Sequence, residues 1–338
     1  MSTLLPAVQE RIQAVVQGER LSQIEAHSVF ESLSNGLVPD VTISALLAAL
    51  RARGETAAEV AGAAQAFRAA AVPFPHTGLD LIDIVGTGGD GHHTINISTA
   101  AGLVGASMGL FVAKHGNRSV SSVTGSADVI TALGIPIELE PGSAAEAVKQ
   151  DHFCFLFAQR YHPAMRYVAP IRNILATPTV FNLLGPLVNP APLAYQVMGV
   201  ANPEVLDMIA QTLACLGRKK ALVVHGSGVD EIALHGPTEI REIDRNGIRT
   251  YTVTPESLGM HTWTLQDLVG GDSATNAQAL NAVFEGNGTQ AHEETVAVNT
   301  GAMLYTAGQA ASIAEGAQAA LEHIQRGAVA DHLATMRK

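Results

Sequence analysis

Positive charge is scarce in this sequence: 20 Lys and Arg stand against 31 Asp and Glu, a formal net charge of −11. That balance excludes the extended cationic face that a nucleic-acid backbone requires, so any phosphate site must be local. Cysteine is nearly absent. Cys154 and Cys215 sit in apolar surroundings without metal-ligand spacing, and are expected to be buried free thiols in a reducing compartment, with no chemistry of their own. No apolar run approaches the roughly 18–20 residues of a membrane span, and the opening LLPAVQERIQAVVQ carries charge and no small-residue cleavage pattern. A soluble, cytoplasmic chain is the expectation, with neither a membrane nor a nucleic acid as partner. Internal repeats, low-complexity segments and the Walker pattern G-x-x-x-x-G-K-[ST] are also missing. Apolar residues are plentiful instead. They make up 47% of 338 residues, ample for a core and, by length, for two domains.

Residues 1 to about 72 are helical in period. Val8, Ile12, Val15 and Val16 recur at helical spacing, LSQIEA opens a second helix with Ser22 as N-cap, and Val41–Arg53 and Glu55–Ala71 supply two more, punctuated by Gly36 and Gly54. Glu25, His27 and Glu31 read as a solvated face rather than a ligand set. After AVPFPHTGLD the period changes. Strand-like LIDIVG, FVAK, PIELE and FCFLFAQ alternate with helical runs around Ala127–Leu133 and Ala144–Lys149, the pattern of an α/β layer structure with a mostly parallel sheet. Residues 160–190 form a proline-rich excursion. Alternation then resumes with AYQVMGV, the helix Glu204–Leu216, KALVVHG, TEIREI and TYTVT, and closes with helices over Asn276–Phe284, Glu293–Thr306 and Ile313–Arg326.

The chemistry concentrates between Leu81 and Ser122. A strand leads into a turn with Gly86, Gly88, Gly89 and Gly91, where backbone N–H groups can approach an anion closely. Asn96, Ser98 and Thr99 then stand at the start of a helix, where side-chain oxygens cap free N–H groups and the dipole favours negative charge. The next strand ends in Lys114 and runs into a loop with Arg118, Asn117 and three hydroxyls, Ser119, Ser121 and Ser122, while Ser126 opens the following helix. Together these parts would hold phosphate. Gly86–Gly91 also fits G-x-G-x-x-G, but a dinucleotide fold needs an acid about 20 positions on, and Lys114 stands in that region instead.

A second element, His225-Gly-Ser-Gly-Val-Asp-Glu231, follows the strand ALVV. It puts two adjacent carboxylates at the end of a strand where ligands of open α/β sheets bind. Taken alone, an Asp-Glu pair is more often a helix N-terminus. Beside phosphate-type loops in the same sheet the favoured reading is a Mg²⁺ site, since that ion is held by one or two carboxylates plus substrate phosphates.

GTGGDG, NIST, KHGNRSVSS with GSAD, FNLLGPLVNP and HG-x-G-x-DE, in this order and spacing, closely resemble the anthranilate phosphoribosyltransferase family, and the helical segments LSQIEA and LLAALRARGETAAEVAGAA extend the resemblance over nearly the whole chain. The resemblance implies an α/β, nucleoside phosphorylase/phosphoribosyltransferase-like architecture. It comprises a small helical domain, residues 1–72 joined by 166–188, and a larger α/β domain, residues 73–165 and 189–338. It implies a homodimer joined through the helices. The implied substrate is 5-phosphoribosyl 1-pyrophosphate, held by Gly86, Gly89, Asp90, Thr94, Asn96, Ile97, Ser98 and Thr99, by the loop Lys114, His115, Gly116, Asn117, Arg118, Ser119, Val120, Ser121 and Ser122, and by Ser126. Two Mg²⁺ ions would be held by Ser98, Asp230 and Glu231, and anthranilate by Gly86, Asn117 and Arg172. A guanidinium suits that last role independently, because it can pair bidentately with a benzoate carboxylate. Pro178 stands where the family often carries an arginine.

The implied reaction is attack of the anthranilate amine on C1 of the ribose with loss of pyrophosphate, through an oxocarbenium-like transition state. Lys114 and the metal would neutralise the leaving group. An aryl amine is already neutral at pH 7, so no obligatory base is assigned, and His115 is the candidate for proton handling. Among rivals, a pyrimidine nucleoside phosphorylase has less use for the Asp230–Glu231 pair, and a nucleic-acid-binding relative is opposed by the net charge of −11.

Overall fold

Helix starts in the N-terminal part of the chain are fixed by their own side chains. The computed structural model describes residues 6–118 and 124–337, so the predicted loop residues Ser119, Val120, Ser121 and Ser122 lie outside the described residues. Ser22 and Glu25 form a reciprocal capping box at the start of the helix Gln23–Ser34, and Thr56 and Glu59 form another ahead of Ala57–Ala69. Glu59 is almost wholly buried, and it accepts hydrogen bonds from Leu21 N (2.9 Å), Arg53 Nη2 (2.7 Å) and both polar atoms of Thr56. One carboxylate thereby joins three stretches of chain. Where the two helices cross, Gly62 has no room for a side chain: an added Cβ would meet Gln23 O and lie 2.7 Å from Ala26 Cβ. Phe181 packs edge-on against Phe30 and Phe67 at centroid distances of 6.2 and 5.1 Å. These elements belong to one compact unit, Met1–Pro73, Gln159–Pro190 and Gln211–Gly217.

The other unit, Phe74–Ala158, Ala191–Ala210 and Arg218–Lys338, is built on a seven-stranded sheet. Its strands are β1 (Leu81–Gly86), β2 (Val112–Gly116), β3 (Phe153–Phe157), β4 (Leu193–Gly199), β5 (Lys220–Gly226), β6 (Thr238–Asp244) and β7 (Gly247–Val253), in the order β3-β2-β1-β4-β5-β6-β7. The first five are mutually parallel and β6 and β7 are antiparallel. Runs such as FCFLF and the ALVV of β5 are buried throughout, as strands covered on both faces must be. The edge strand β7 is the exposed exception. The helices Ile97–Ser107 and Gln290–Thr306 pack against the sheet and each other, and each is buried nearly all round. The chain leaves β1 toward β2 and β3 on one side, and β4 begins the other side. That reversal makes a crevice at the C-terminal ends of β1 and β4, the usual ligand position in open α/β sheets.

Two expectations need correction, and one helix is new. PIELE (residues 136–140) is not a strand; Ile135 and Ile137 are buried at alternate positions along an extended segment that joins no ladder. Alternation reports extended backbone there, not pairing. Cys154 is buried, but Cys215 is exposed as the last residue of its helix Leu206–Cys215. The helix Ala328–Met336 adds Val329, Leu333 and Met336 to the core without having been anticipated.

Candidate active site

At the end of β1 the glycine turn and the acidic hairpin meet. Gly88, Gly89 and Gly91 have φ of +67°, +82° and +77°, a conformation that L side chains adopt only with strain. The turn so made directs the backbone N–H of Gly88 to Asp230 Oδ2 at 2.6 Å. Gly86 is needed for a different reason: a Cβ there would run into the Asp230 carboxylate. Asp230 and Glu231 themselves follow a two-residue turn, Ser227-Gly228 with φ of +50° and +104°, closed by paired hydrogen bonds between Gly226 and Val229. They stand in irregular backbone, not at a helix start. His225 braces the turn. Its Nδ1 lies 2.8 Å from Val200 O, which can only accept, so Nδ1 carries the proton and Nε2 accepts the Gly228 N–H at 3.2 Å.

Asp90, from the glycine turn, joins this pair: Asp90, Asp230 and Glu231 each offer a carboxylate oxygen, all within 4.8 Å of one another. Burial raises the pKa of Asp230 and raises that of Glu231 well above the ordinary carboxylate value, and the neighbouring negative charges push Glu231 further. Although part of Glu231 reaches the surface, its Oε2 is sealed from solvent and has no hydrogen-bond partner. Three crowded acids with an orphaned buried oxygen have the donor chemistry of a hard divalent cation site. The residues therefore fit Mg²⁺.

Lys114 approaches from below. It is 1% exposed, and its Nζ donates to Ile84 O at 2.7 Å and to Ser98 Oγ at 3.4 Å. Desolvation lowers its pKa, while the charges of Asp83 and Glu231 oppose that shift. Ser98 lies in the first turn of the helix Ile97–Ser107. Asn96 is that helix's N-cap but makes no side-chain capping bond; its Oδ1 instead accepts from Asn276 Nδ2 at 2.8 Å. The expected capping by Asn96 is thus overruled; Ile97 N and Thr99 N donate to Ile95 O (2.7 Å) and Asn96 O (3.1 Å), and among the described residues the Ser98 N–H is left without a backbone acceptor, the donor this helix start can offer an anion.

The remaining sequence-assigned residues are distributed as follows. Ile97 and Thr99 are buried within the helix start, and His115, 5% exposed, and Gly116 end β2. Thr94 pairs with Val269 beside the glycine turn, whose Gly89 is exposed. Asn117 Oδ1 accepts the Arg118 N–H at 2.8 Å, and Asn117 O accepts from Ser126 Oγ at 3.4 Å, where the helix Ser126–Ala132 begins. Arg118 pairs with Asp128 at 3.0 Å. Arg172 stands in the helical unit, on the helix Ala169–Leu175, with its guanidinium 5.6 Å from the Phe181 ring centre and its pKa lowered by burial. Sequence reasoning placed Asp90 with the phosphates and missed it among the acids, although GTGGDG displays it. Asn276 gave no signal, because it lies in an ordinary helix far along the chain.

Residues 78–330 match the family described as glycosyl transferase family, a/b domain, and residues 9–71 its helical bundle domain. The chain is 51% identical over 312 residues to an anthranilate phosphoribosyltransferase of Corynebacterium efficiens, covering 92% of this chain and 91% of the relative. The crystal structure of the Thermus thermophilus anthranilate phosphoribosyltransferase superimposes with a TM-score of 0.92 at 42% identity, over 97% of this chain and 98% of that one. The Saccharomyces cerevisiae enzyme, solved in complex with PRPP and Mg, gives 0.85 at 27% identity over 97% and 96% of the two chains. It has also been solved with 4-fluoroanthranilate. With a sheet reversal, a glycine turn and paired carboxylates already in place, the extent of these matches means that the chain belongs to the anthranilate phosphoribosyltransferase family.

Proposed function

We propose that this chain transfers the phosphoribosyl group of 5-phosphoribosyl 1-pyrophosphate to the amine of anthranilate, giving N-(5-phosphoribosyl)anthranilate and pyrophosphate in tryptophan biosynthesis. The observation that carries the reading is the meeting of Asp90, Asp230 and Glu231 with a glycine turn beside an uncapped helix start. Acids alone would repel a polyphosphate; with a divalent cation they bind one. Relatives matching 92–97% of the chain are named anthranilate phosphoribosyltransferase, and one is solved with PRPP and Mg.

In this reading Ser98, Asp230 and Glu231 hold two Mg²⁺ ions, with Asp90 close by. Bound Mg²⁺ supplies charge neutralisation and Lewis-acid assistance to pyrophosphate departure. The chain's own groups orient the substrate. Gly86, Gly89, Thr94 and the helix start at Asn96, Ile97, Ser98 and Thr99 receive the phosphoribosyl pyrophosphate, as do Lys114, His115, Gly116, Asn117, Arg118, the following loop and Ser126. Lys114, buried beneath Ser98, adds a fixed positive charge without reaching solvent. Anthranilate is met by Gly86, Asn117 and Arg172, the guanidinium pairing with its carboxylate. The aryl amine needs no activation, so holding it against C1 accounts for much of the rate; His115 takes up the released proton. Polyanionic substrates do not cross membranes unaided, which assigns the reaction to the cytoplasm. Exposed Val16, Ile24 and Val41 in the helical unit, 55%, 83% and 82% exposed, supply apolar surface for a homodimer. An assay of anthranilate fluorescence with phosphoribosyl pyrophosphate and Mg²⁺ tests the reading. Signal loss is expected, and a folded protein that leaves the fluorescence unchanged overturns it.

A further inference from the structure

The helix Ile97–Ser107 opens on an asparagine that does not cap it, and the cause lies 180 residues away in sequence. Asn276 is 2% exposed, in the first turn of the helix Ser273–Phe284. Its Oδ1 accepts the backbone N–H of Gly271 at 2.7 Å, and its Nδ2 donates to Asn96 Oδ1 at 2.8 Å. A backbone N–H can only donate, so the Asn276 amide has one orientation: oxygen to Gly271, nitrogen to Asn96. The orientation passes on. Asn96 must turn its oxygen to Asn276, which leaves its Nδ2, with two N–H donors, as the end available to a ligand. Among the described residues that Nδ2 has no protein partner.

Asn276 is itself held by a brace. Residues 268–271 are tied back to the glycine turn's exit, with Ile95 N donating to Leu268 O (3.0 Å) and Gly270 N to His93 O (2.8 Å). The same brace reaches the other phosphate-type segment, since Thr124 Oγ1 donates to Gly271 O at 2.9 Å.

We propose that Asn276 is a positioning residue that locks Asn96 with its N–H donors, and not its oxygen, toward the phosphorylated substrate. The inference rests on the proposed function, in which Asn96 contacts phosphoribosyl pyrophosphate. A free asparagine at an N-cap turns its oxygen to the helix's own N–H groups; locked, it presents its two N–H donors beside the Ser98 N–H, because Ile97 N and Thr99 N already donate to Ile95 O and Asn96 O. Asn276 never touches substrate and acts through Asn96.

The test is a comparison of Asn276→Asp, Asn96→Ala and the double variant, each measured for the KM of phosphoribosyl pyrophosphate and of anthranilate. Aspartate keeps the shape and the bond from Gly271 but can no longer donate, so it draws the Asn96 amide nitrogen to itself and turns the oxygen to the site. The expected result is a rise of about 10- to 100-fold in the KM of phosphoribosyl pyrophosphate, an anthranilate KM within about twofold, and no further rise when the uncharged Asn276→Ala is added to Asn96→Ala to make the double variant. A merely structural role would shift both KM values and would add its effect in the Asn96→Ala background. Asn276→Ala, which removes both bonds without new charge, gives the same direction with a smaller change, and replaces the aspartate variant if that one unfolds. The proposal is overturned if the parent is active and Asn96→Ala raises the KM while neither Asn276 variant does. If Asn96→Ala has no effect, or the parent has no transferase activity, the site reading itself fails and takes the inference with it.

Discussion

At the scale of single residues, burial decides which charges matter. His162 is buried, and desolvation lowers its pKa to about 4 from an ordinary 6.5. In the unfolded chain it binds a proton below about 6.5; in the folded chain it resists until about 4. The unfolded state therefore holds more protons in that window, and stability falls as pH falls through it. This group alone should remove about 3 kcal/mol between pH 7 and pH 4, so urea titrations of His162→Gln should show a pH dependence shallower by that amount; equal slopes would contradict the assignment. For Arg172, replacement by Ala should raise the anthranilate KM about 10- to 100-fold with the phosphoribosyl pyrophosphate KM unchanged, the loss of one charge-assisted pair. Steady-state kinetics decide it, and an unchanged anthranilate KM would remove Arg172 from the site. Much of this scale was legible in advance. Asp230 and Glu231 alone would read as a helix start, and it is the phosphate-type loops in the same sheet that favour a metal reading; the structure sets them in irregular backbone beside Asp90, and the glycines of GTGGDG announce a turn. Asn276 was not legible, because its role depends on a contact 180 positions away and on the orientation of an amide, neither of which leaves a local pattern.

At the scale of elements, local chemistry wrote the helices more clearly than the strands. Ser22 caps its helix as expected, and the structure adds Glu25 as its reciprocal partner and a second capping box from Thr56 and Glu59, each pair lying within one turn. Segment 136–140 misled, because an alternating apolar pattern says nothing of whether a neighbouring strand is available. Helix crossings depend on small residues whose necessity only packing shows. Gly62→Ala illustrates the competition: alanine favours a helix by about 1 kcal/mol over glycine, but its Cβ would press on Gln23 O and lie 2.7 Å from His27 N, both backbone atoms. Overpacking of this kind typically costs about 1–3 kcal/mol, so the clash should win and thermal unfolding should occur several degrees lower. A higher Tm would show that the crossing can relax.

At the scale of the molecule, the sheet brings loops from the C-terminal ends of the parallel strands β1, β2, β4 and β5 to one side, and the surface carries apolar residues that such a chain has reason to cover. If Ile24 and Val41 lie in a homodimer interface, Ile24→Asp with Val41→Asp should convert a dimer to a monomer by sedimentation equilibrium while preserving helix content. A parent already monomeric at micromolar concentration would refute the proposed assembly. The central claim is that the carboxylates gathered at the C-terminal ends of the central strands make phosphoribosyl transfer metal-dependent. Its most direct test is a Mg²⁺ titration of anthranilate fluorescence loss with phosphoribosyl pyrophosphate, comparing the parent with Asp230→Ala/Glu231→Ala. Saturable Mg²⁺ activation is expected in the parent and at least about a hundredfold slower transfer in the variant. Equal rates and equal Mg²⁺ dependence in a folded variant would contradict it.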